Sequence, residues 1–165
     1  MKILGIDPGL ATLGYAVVEK NANSFQKIDY GTITTAASMK NVNRLKKIFN
    51  ELNILIEKHS PEHMAVEELF FNKNVKTAIK VGQARGVILL TGAQANLEVD
   101  EYTPLQIKQA VVGYGRASKM QVQQMVKALL GLEELPKPDD AADALAVAIC
   151  HGHSVVAKQR WGDQL

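Results

Sequence analysis

The order of short apolar segments and helical patterns is the feature that most limits how this chain can fold. Three strand-like segments come first, separated by turn residues such as Pro8-Gly9, and we expect them to form an antiparallel meander. Helical patterns then alternate with two further strands. The expected strands are 2–7, 13–19, 25–34, 63–67 and 97–102, and the first two helices are 42–59 and 75–95. This order predicts an α/β fold with a five-stranded mixed sheet flanked by helices.

Two later helices have well-marked starts. Thr103-Pro104-Leu105-Gln106 and Ser118-Lys119-Met120-Gln121 both have the pattern of a capping box, in which the side chains of the first and last residues satisfy backbone amides. A flexible loop with a basic residue, Gly113-Tyr114-Gly115-Arg116, separates them. A final helix opens at Pro138-Asp139, and the aperiodic segment 154–165 is expected to fray. The whole chain, 1–165, is interpreted as one domain.

The helix expected at 75–95 has two apolar faces. One follows the pattern of a core-facing surface: Val75, Ala78, Ile79, Gly82, Gly86, Leu89, Leu90 and Ala93. A second seam lies beside it: Val81, Ala84, Ile88, Thr91 and Ala95. A separate polar stripe (Lys73, Lys76, Lys80 and Gln83) reaches the surface. We therefore predict that the second seam meets another subunit in a homodimer, although a fully buried helix would show the same pattern.

Four acidic residues stand where a strand ends or a helix begins: Asp7, Glu67, Asp140 and Asp143. If the strands that end at Asp7 and Glu67 are parallel neighbours, both carboxylates emerge at one edge of the sheet. Asp140 and Asp143 are three residues apart and share a helix face. Gathered carboxylates repel one another, and oxygen ligands suit Mg²⁺ or Mn²⁺. Two such ions, one shared by Asp7 and the helix pair and one by Asp7 and Glu67, would support phosphodiester hydrolysis.

Each acid also has a purely structural interpretation, as a turn residue, a solvated strand end or a helix-start acid. Asp143 fits this interpretation least, because it lies among alanines on a face that should be buried and no base lies near it in the sequence. Glu67 and Glu68 point to opposite faces of a strand, so only one of them can be a ligand. The four acids together therefore indicate a metal site more specifically than any one of them does alone.

Composition places the chain among ordinary globular proteins, with 47% hydrophobic and 22% charged residues in 165. No apolar run is long enough to span a membrane, and the apolar part of the N-terminus is too short for a signal peptide. The single Cys150 excludes an internal disulfide. Together these features predict a cytoplasmic protein with no membrane partner.

Two long stretches, 69–97 and 102–132, contain basic residues and no acid. Basic arms over an acidic metal pocket would suit a polyanion such as DNA. Two solvated helices that happen to lack acids would give the same pattern, so the charge distribution leaves both interpretations open.

Several motifs, in order and nearly end to end, resemble the Holliday-junction resolvases of the RuvC family. They are Gly5-Ile6-Asp7-Pro8-Gly9 with Gly14-Tyr15, Val66-Glu67-Glu68-Leu69-Phe70 with Asn72-Lys73-Asn74, Gly82-Gln83-Ala84-Arg85-Gly86, Val111-Val112-Gly113 with Gly115, Lys119 with Gln121-Val122, and Asp140-Ala141-Ala142-Asp143-Ala144-Leu145-Ala146. The resemblance implies a ribonuclease-H-like fold and a homodimer that makes paired symmetric nicks across a four-way DNA junction. It also implies Asp7, Glu67, Asp140 and Asp143 as catalytic ligands of two Mg²⁺ ions, for which Mn²⁺ can substitute.

The resemblance further implies that Lys108 and Lys119 contact DNA phosphates near the cut, and that Phe70 touches unstacked bases. Arg116, Lys73 and Lys76 are further candidates for DNA contact. The implied partner is a branch-migration motor of the RuvA–RuvB type.

Three other functions share parts of this pattern. Sugar kinases share the Gly-Ile-Asp opening but need two such domains and further phosphate loops. A sister nuclease that processes RNA remains an alternative, although the Lys119 capping box and the Asp140/Asp143 spacing favour the DNA resolvase. A junction-binding module without catalysis would lack a carboxylate, and all four are present.

Overall fold

A computed structural model describes residues 1–68 and 75–161, and at 75–76 and 158–161 it describes the backbone alone. Its strands are β1 (Lys2–Asp7), β2 (Thr12–Lys20), β3 (Phe25–Thr34), β4 (His63–Glu67) and β5 (Glu98–Tyr102). Its helices are α1 (Asn41–His59), α2 (Val75–Gln94), α3 (Pro104–Val112), α4 (Lys119–Leu130) and α5 (Asp139–Trp161). These bounds agree with the expected elements to within a residue or two, except that α5 continues to Trp161 through most of the segment expected to fray.

The five strands form one mixed sheet in the order β3-β2-β1-β4-β5. The first three strands are antiparallel, as the tight turns between them predict, whereas β4 runs parallel to both β1 and β5. A parallel pair needs a crossover, which α1 and α2 provide. The prediction of a five-stranded mixed sheet flanked by helices is confirmed.

Alternation along the strands separates two apolar cores, one on each face of the sheet. Ile3 and Ala65 pack towards α3, α4 and α5, while Leu4 and Met64 pack towards α1 and α2. The final helix is the most deeply buried, since every residue from Ala144 to Cys150 is at most 1% exposed. This explains why α5 is alanine-rich: small side chains let its backbone lie directly on the sheet.

The two expected capping boxes are present. Thr103 accepts a hydrogen bond from the Gln106 amide while the Gln106 side chain accepts one from the Thr103 amide, and Ser118 and Gln121 repeat the arrangement at the start of α4. These local bonds set where α3 and α4 begin, and therefore where Lys119 lies.

The sequence-based assignment of the two faces of α2 is wrong, because the faces are exchanged. Ala84, Ile88 and Thr91 of the second seam are completely buried against the sheet, whereas Ile79 and Leu90 of the supposed core face are 58% and 55% exposed. The Thr91 hydroxyl donates to the Val87 carbonyl within the helix, so its burial leaves no unsatisfied polar group. Two neighbouring apolar faces look alike in a sequence, and only packing distinguishes them.

Arg85 of α2 forms an ion pair with Glu101 of β5, which ties the helix to the edge strand. The geometry therefore supports a structural role for this arginine. In the part of the chain that the structure describes, no helix has the length and apolar character needed to cross a bilayer.

Candidate active site

The acids Asp7 and Glu67 lie side by side at one edge of the sheet. Ile6 of β1 pairs with Val66 of β4 in parallel register, and each acid follows directly after its member of this pair. Both side chains lie on the face that carries α5, because Glu67 is two residues from Ala65 and Asp7 is four residues from Ile3, and Ala65 and Ile3 pack on that face. Glu68 follows on the other side of the strand, and its amide donates to the Tyr102 carbonyl. The parallel pairing on which the gathering of these two acids depended is therefore present.

Two glycines allow α5 to bring its acids to this edge. A Cβ atom at Gly5 would collide with the Ala144 carbonyl, and one at Gly14 would collide with the Asp140 carbonyl. The helix backbone thus rests directly on β1 and β2 at its first two turns. This close approach places Asp140 and Asp143 near Asp7, which the spacing of the acids alone cannot do.

The acids at this edge repel one another strongly. Burial raises the pKa of Asp7 to about 8, and the charges of Glu67, Asp143 and Asp140 push it in the same direction. Burial also raises the pKa of Glu67 to about 7, helped by the charge of Asp143 and opposed by a hydrogen bond with Asp7. Crowded carboxylates with raised pKa values are a mark of functional sites, because the fold holds them together at a cost in free energy.

Asp143 has a cationic partner that its sequence neighbours did not reveal. Its Oδ2 atom lies 3.0 Å from Nζ of Lys119 at the start of α4, and the same ammonium lies 3.2 Å from Oδ2 of Asp139. Burial raises the pKa of Asp143 despite this bond. The pKa of Lys119 is raised because its bonds to Asp143 and Asp139 outweigh the effect of burial.

A cleft of about 240 Å³ opens over these groups between α3, α4 and α5. Glu67 and Asp143 supply its acids, and Lys108 and Lys119 supply its cations. The remaining lining residues are Pro104, Ile107, Val122 and Ala146. A cleft with carboxylates on one side and lysines on the other is suited to an anionic group that binds through a divalent cation.

Asp140 faces a neighbouring cleft of about 410 Å³ between the β1–β2 turn and α2. Arg44 and Lys80 line the same space. Asp140 nevertheless remains close enough to Asp7 and Asp143 for its charge to raise the pKa of both. The structure therefore brings all four predicted acids into one electrostatic cluster, in which Asp140 lines a different cleft from the one that Glu67 and Asp143 line.

The oxygen donors of this cluster are of the type that Mg²⁺ and Mn²⁺ prefer, and their mutual repulsion is what a divalent cation would relieve. Among the described residues, however, no three acidic, histidine or cysteine side chains are arranged as metal ligands. Asp143 instead directs an oxygen to Lys119. The residues fit the ion in chemistry, and an ion bound by Asp143 would compete with Lys119 for the charge of that carboxylate.

The residues predicted to contact DNA divide into two groups. Lys108 and Lys119 line the first cleft, and Arg116 is exposed in the α3–α4 loop. Phe70 and Lys73 lie outside the described residues, as does the side chain of Lys76.

Sequence reasoning missed two residues of this region, Asp139 and Gln123. Asp139 precedes Asp143 by one helical turn, and Gln123 follows Lys119 by one turn, so the i, i+4 spacing on both helices was the available signal. That α4 and α5 face each other along these turns was not visible in the sequence.

Comparison with known proteins agrees with this geometry. Residues 3–151 match the family model described as Crossover junction endodeoxyribonuclease RuvC. A protein of that name from Halothermothrix orenii is 63% identical over 162 residues, 98% of each chain. Another of that name from Desulfitobacterium hafniense is 58% identical over the full length of both chains.

Solved structures show the same likeness. A structure described as T. thermophilus RuvC in complex with Holliday junction substrate is 37% identical and covers 94% of both chains, with a TM-score of 0.90. The yeast mitochondrial Holliday junction resolvase Ydc2 covers 96% of this chain and 80% of its own, with a TM-score of 0.73 at 13% identity, which indicates a shared fold alone.

Proposed function

This chain belongs to the RuvC family of crossover junction endodeoxyribonucleases, and from that premise we propose that it resolves four-way DNA junctions by hydrolysing phosphodiesters. The observation that carries the proposal is the cluster of Asp7, Glu67, Asp140 and Asp143 beside two lysine-bearing helices. Buried carboxylates with raised pKa values, held together at the edge of a sheet, are typical of functional sites.

We propose that the four acids hold two divalent ions, with Mg²⁺ as the natural choice and Mn²⁺ as a substitute. When bound, such ions supply a nucleophile from water and stabilise the charge on the leaving oxygen. Asp7 and Glu67 lie on neighbouring strands, and the sheet would hold these two ligands rigidly in place. Asp140 and Asp143 complete it from the first turns of α5, where the helix dipole favours negative charge.

The lysines of the cleft have a separate task. Lys108 lies one helical turn after Pro104 at the mouth of the cleft, and Lys119 is the first residue of α4. We propose that both bind phosphates beside the scissile bond and stabilise the charge that develops there. Arg116 and the cleft formed by Arg44 and Lys80 extend this basic surface on either side, where they would hold the strands that lead away from the cut.

A homodimer is proposed from the exposed face of α2. Ile79 and Leu90 expose apolar side chains, and between them Gly82 and Gly86 have no neighbouring atom within 4 Å of where a Cβ would lie. This face lets a partner helix approach closely and bury both apolar side chains. Two sites related by the dimer axis would account for paired symmetric nicks. The branch-migration motor of the RuvA–RuvB type is proposed as a further partner on family membership alone.

The test is cleavage of a synthetic four-way junction with Mg²⁺, beside linear duplex of the same sequence. We expect symmetric nicks in the junction alone. Asp7→Asn should abolish nicking and leave junction binding within about twofold, since it removes a proposed metal ligand and no phosphate contact. Glu133→Gln, an exposed acid outside the cluster, is the matched control and should cleave normally.

The outcomes separate the alternatives. Tight binding of the junction without nicking by the unaltered chain would indicate a binding module. Cleavage that ignores the branch, or that prefers RNA, would indicate the RNA-processing relative. Cleavage by Asp7→Asn would disprove the proposed metal site.

A further inference from the structure

Lys119 contacts two carboxylates, of which only one is a proposed metal ligand. Its Nζ atom lies 3.0 Å from Oδ2 of Asp143, a proposed metal ligand, and 3.2 Å from Oδ2 of Asp139, which is not one. The lysine side chain is half exposed and the Asp139 side chain is mostly exposed. The lysine therefore has a second carboxylate in reach on the solvent side of the site.

Asp139 is not a freely rotating surface acid. Its Oδ1 atom accepts a hydrogen bond of 3.1 Å from Nε2 of Gln123, whose side chain is buried between the two helices. Asp139 and Asp143 are one turn apart on α5, and Lys119 and Gln123 are one turn apart on α4. The glutamine thus fixes one oxygen of Asp139 and leaves the other directed at the lysine.

We propose that Asp139 is a positioning residue that holds Lys119 at the cleft when a divalent cation takes Asp143. The inference rests on the proposed metal-dependent function. A divalent cation bound by Asp143 draws on the charge of that carboxylate and repels the ammonium beside it, so the ion weakens the contact between Lys119 and Asp143. With Asp139 present, Lys119 keeps a partner on leaving Asp143 and stays within reach of a phosphate. Without Asp139, the lysine has only Asp143 of the pair and competes with the ion for it.

The test is the affinity of the DNA-free protein for Mn²⁺, measured by isothermal titration calorimetry. This measurement does not depend on cleavage. Asp139→Asn should weaken Mn²⁺ binding roughly two- to fivefold, the range of an exposed ion pair. In a Lys119→Met background the same substitution should change Mn²⁺ binding by less than about 1.5-fold, because the competing ammonium is gone. If Asp139→Asn weakens binding equally in both backgrounds, Asp139 acts only as a nearby charge and the proposal is wrong.

Gln123→Met provides a second test that alters no charge. The methionine fills a similar volume, but it frees Asp139 from its orientation. We expect Mn²⁺ binding to weaken in the same direction, by less than in Asp139→Asn. The unfolding temperature of the variant shows whether it is folded. If a folded variant binds Mn²⁺ as tightly as the unaltered protein, Gln123 does not act through the orientation of Asp139.

A third variant connects the arrangement to cleavage. Asp139→Glu keeps a carboxylate within reach of Lys119 and should restore most of the Mn²⁺ affinity and of the junction-cleavage rate that Asp139→Asn loses. A protein that shows the Asp139–Lys119 coupling but cleaves no junction would contradict the proposed function alone. A protein that cleaves junctions without the coupling would contradict this inference alone.

Discussion

At the scale of single residues, the burial of Asp7 among other carboxylates makes the stability of the metal-free protein depend on pH. The pKa of Asp7 is about 8 in the fold, against an ordinary value of 3.8. A group with a raised folded pKa stabilises the fold fully below its unfolded pKa, near 4, and this contribution is lost as pH rises through about 8. From pH near 4 to about 8 the metal-free fold keeps Asp7 protonated although the unfolded chain ionises it, so Asp7 lowers the stability of the metal-free protein increasingly over this range.

Asp7→Asn should consequently raise the unfolding temperature of the metal-free protein. The gain should be small at pH 5 and should grow towards pH 8, to an amount on the order of a few kcal/mol, because asparagine carries no charge to bury. Thermal unfolding in EDTA across this pH range measures it. Added Mg²⁺ should stabilise the unaltered protein and narrow the difference. A gain that does not depend on pH would show that the pKa of Asp7 is not raised in the fold.

At the scale of elements, the position of the acids depends on the contact between α5 and the sheet. Gly14→Ala places a methyl group against the Asp140 carbonyl, which is main chain and cannot rotate away. We expect a loss of about 1–3 kcal/mol in the free energy of unfolding, as for other overpacked sites, together with weaker cleavage because α5 is displaced. Urea denaturation and the junction assay check the two effects.

The control for this prediction is Ala11→Val, which adds bulk at an exposed position in the neighbouring turn. It should change the free energy of unfolding by less than about 0.5 kcal/mol. If Gly14→Ala were equally mild, the close approach of α5 would not need a glycine, and the placement of Asp140 would need another explanation.

At the scale of the whole molecule, the exposed face of α2 predicts a dimer. Replacing both Ile79 and Leu90 by Arg should give a monomer in sedimentation experiments, because like charges would face each other across the interface. The monomer should lose paired nicking while each remaining site stays intact. Ile28→Arg, at another exposed apolar position on the edge strand β3, is the control and should stay dimeric. A dimer that survives the double substitution would move the interface elsewhere.

The sequence alone determined the features that depend on local pattern. Strand and helix bounds followed from periodicities of two and of three to four residues, and the starts of α3 and α4 followed from capping boxes that bond within one turn. That the acids end two strands was also local information, although the parallel pairing of those strands, which the sequence argument took as a condition, is seen only in the structure. The family resemblance was readable for the same reason, since its motifs are contiguous.

Only the tertiary structure decided which groups meet across elements. It buried Ile88 of α2 and left Leu90 exposed, it gave Asp143 the Lys119 partner, and it placed Asp139 and Gln123 beside that pair. A hydrophobic pattern shows that a face is apolar but not which surface covers it. The charge on a distant helix has no fixed spacing in the sequence from the acid that it meets. The identity of the acids was therefore local information, whereas their electrostatic environment arises from the packing of α4 and α5 on the sheet.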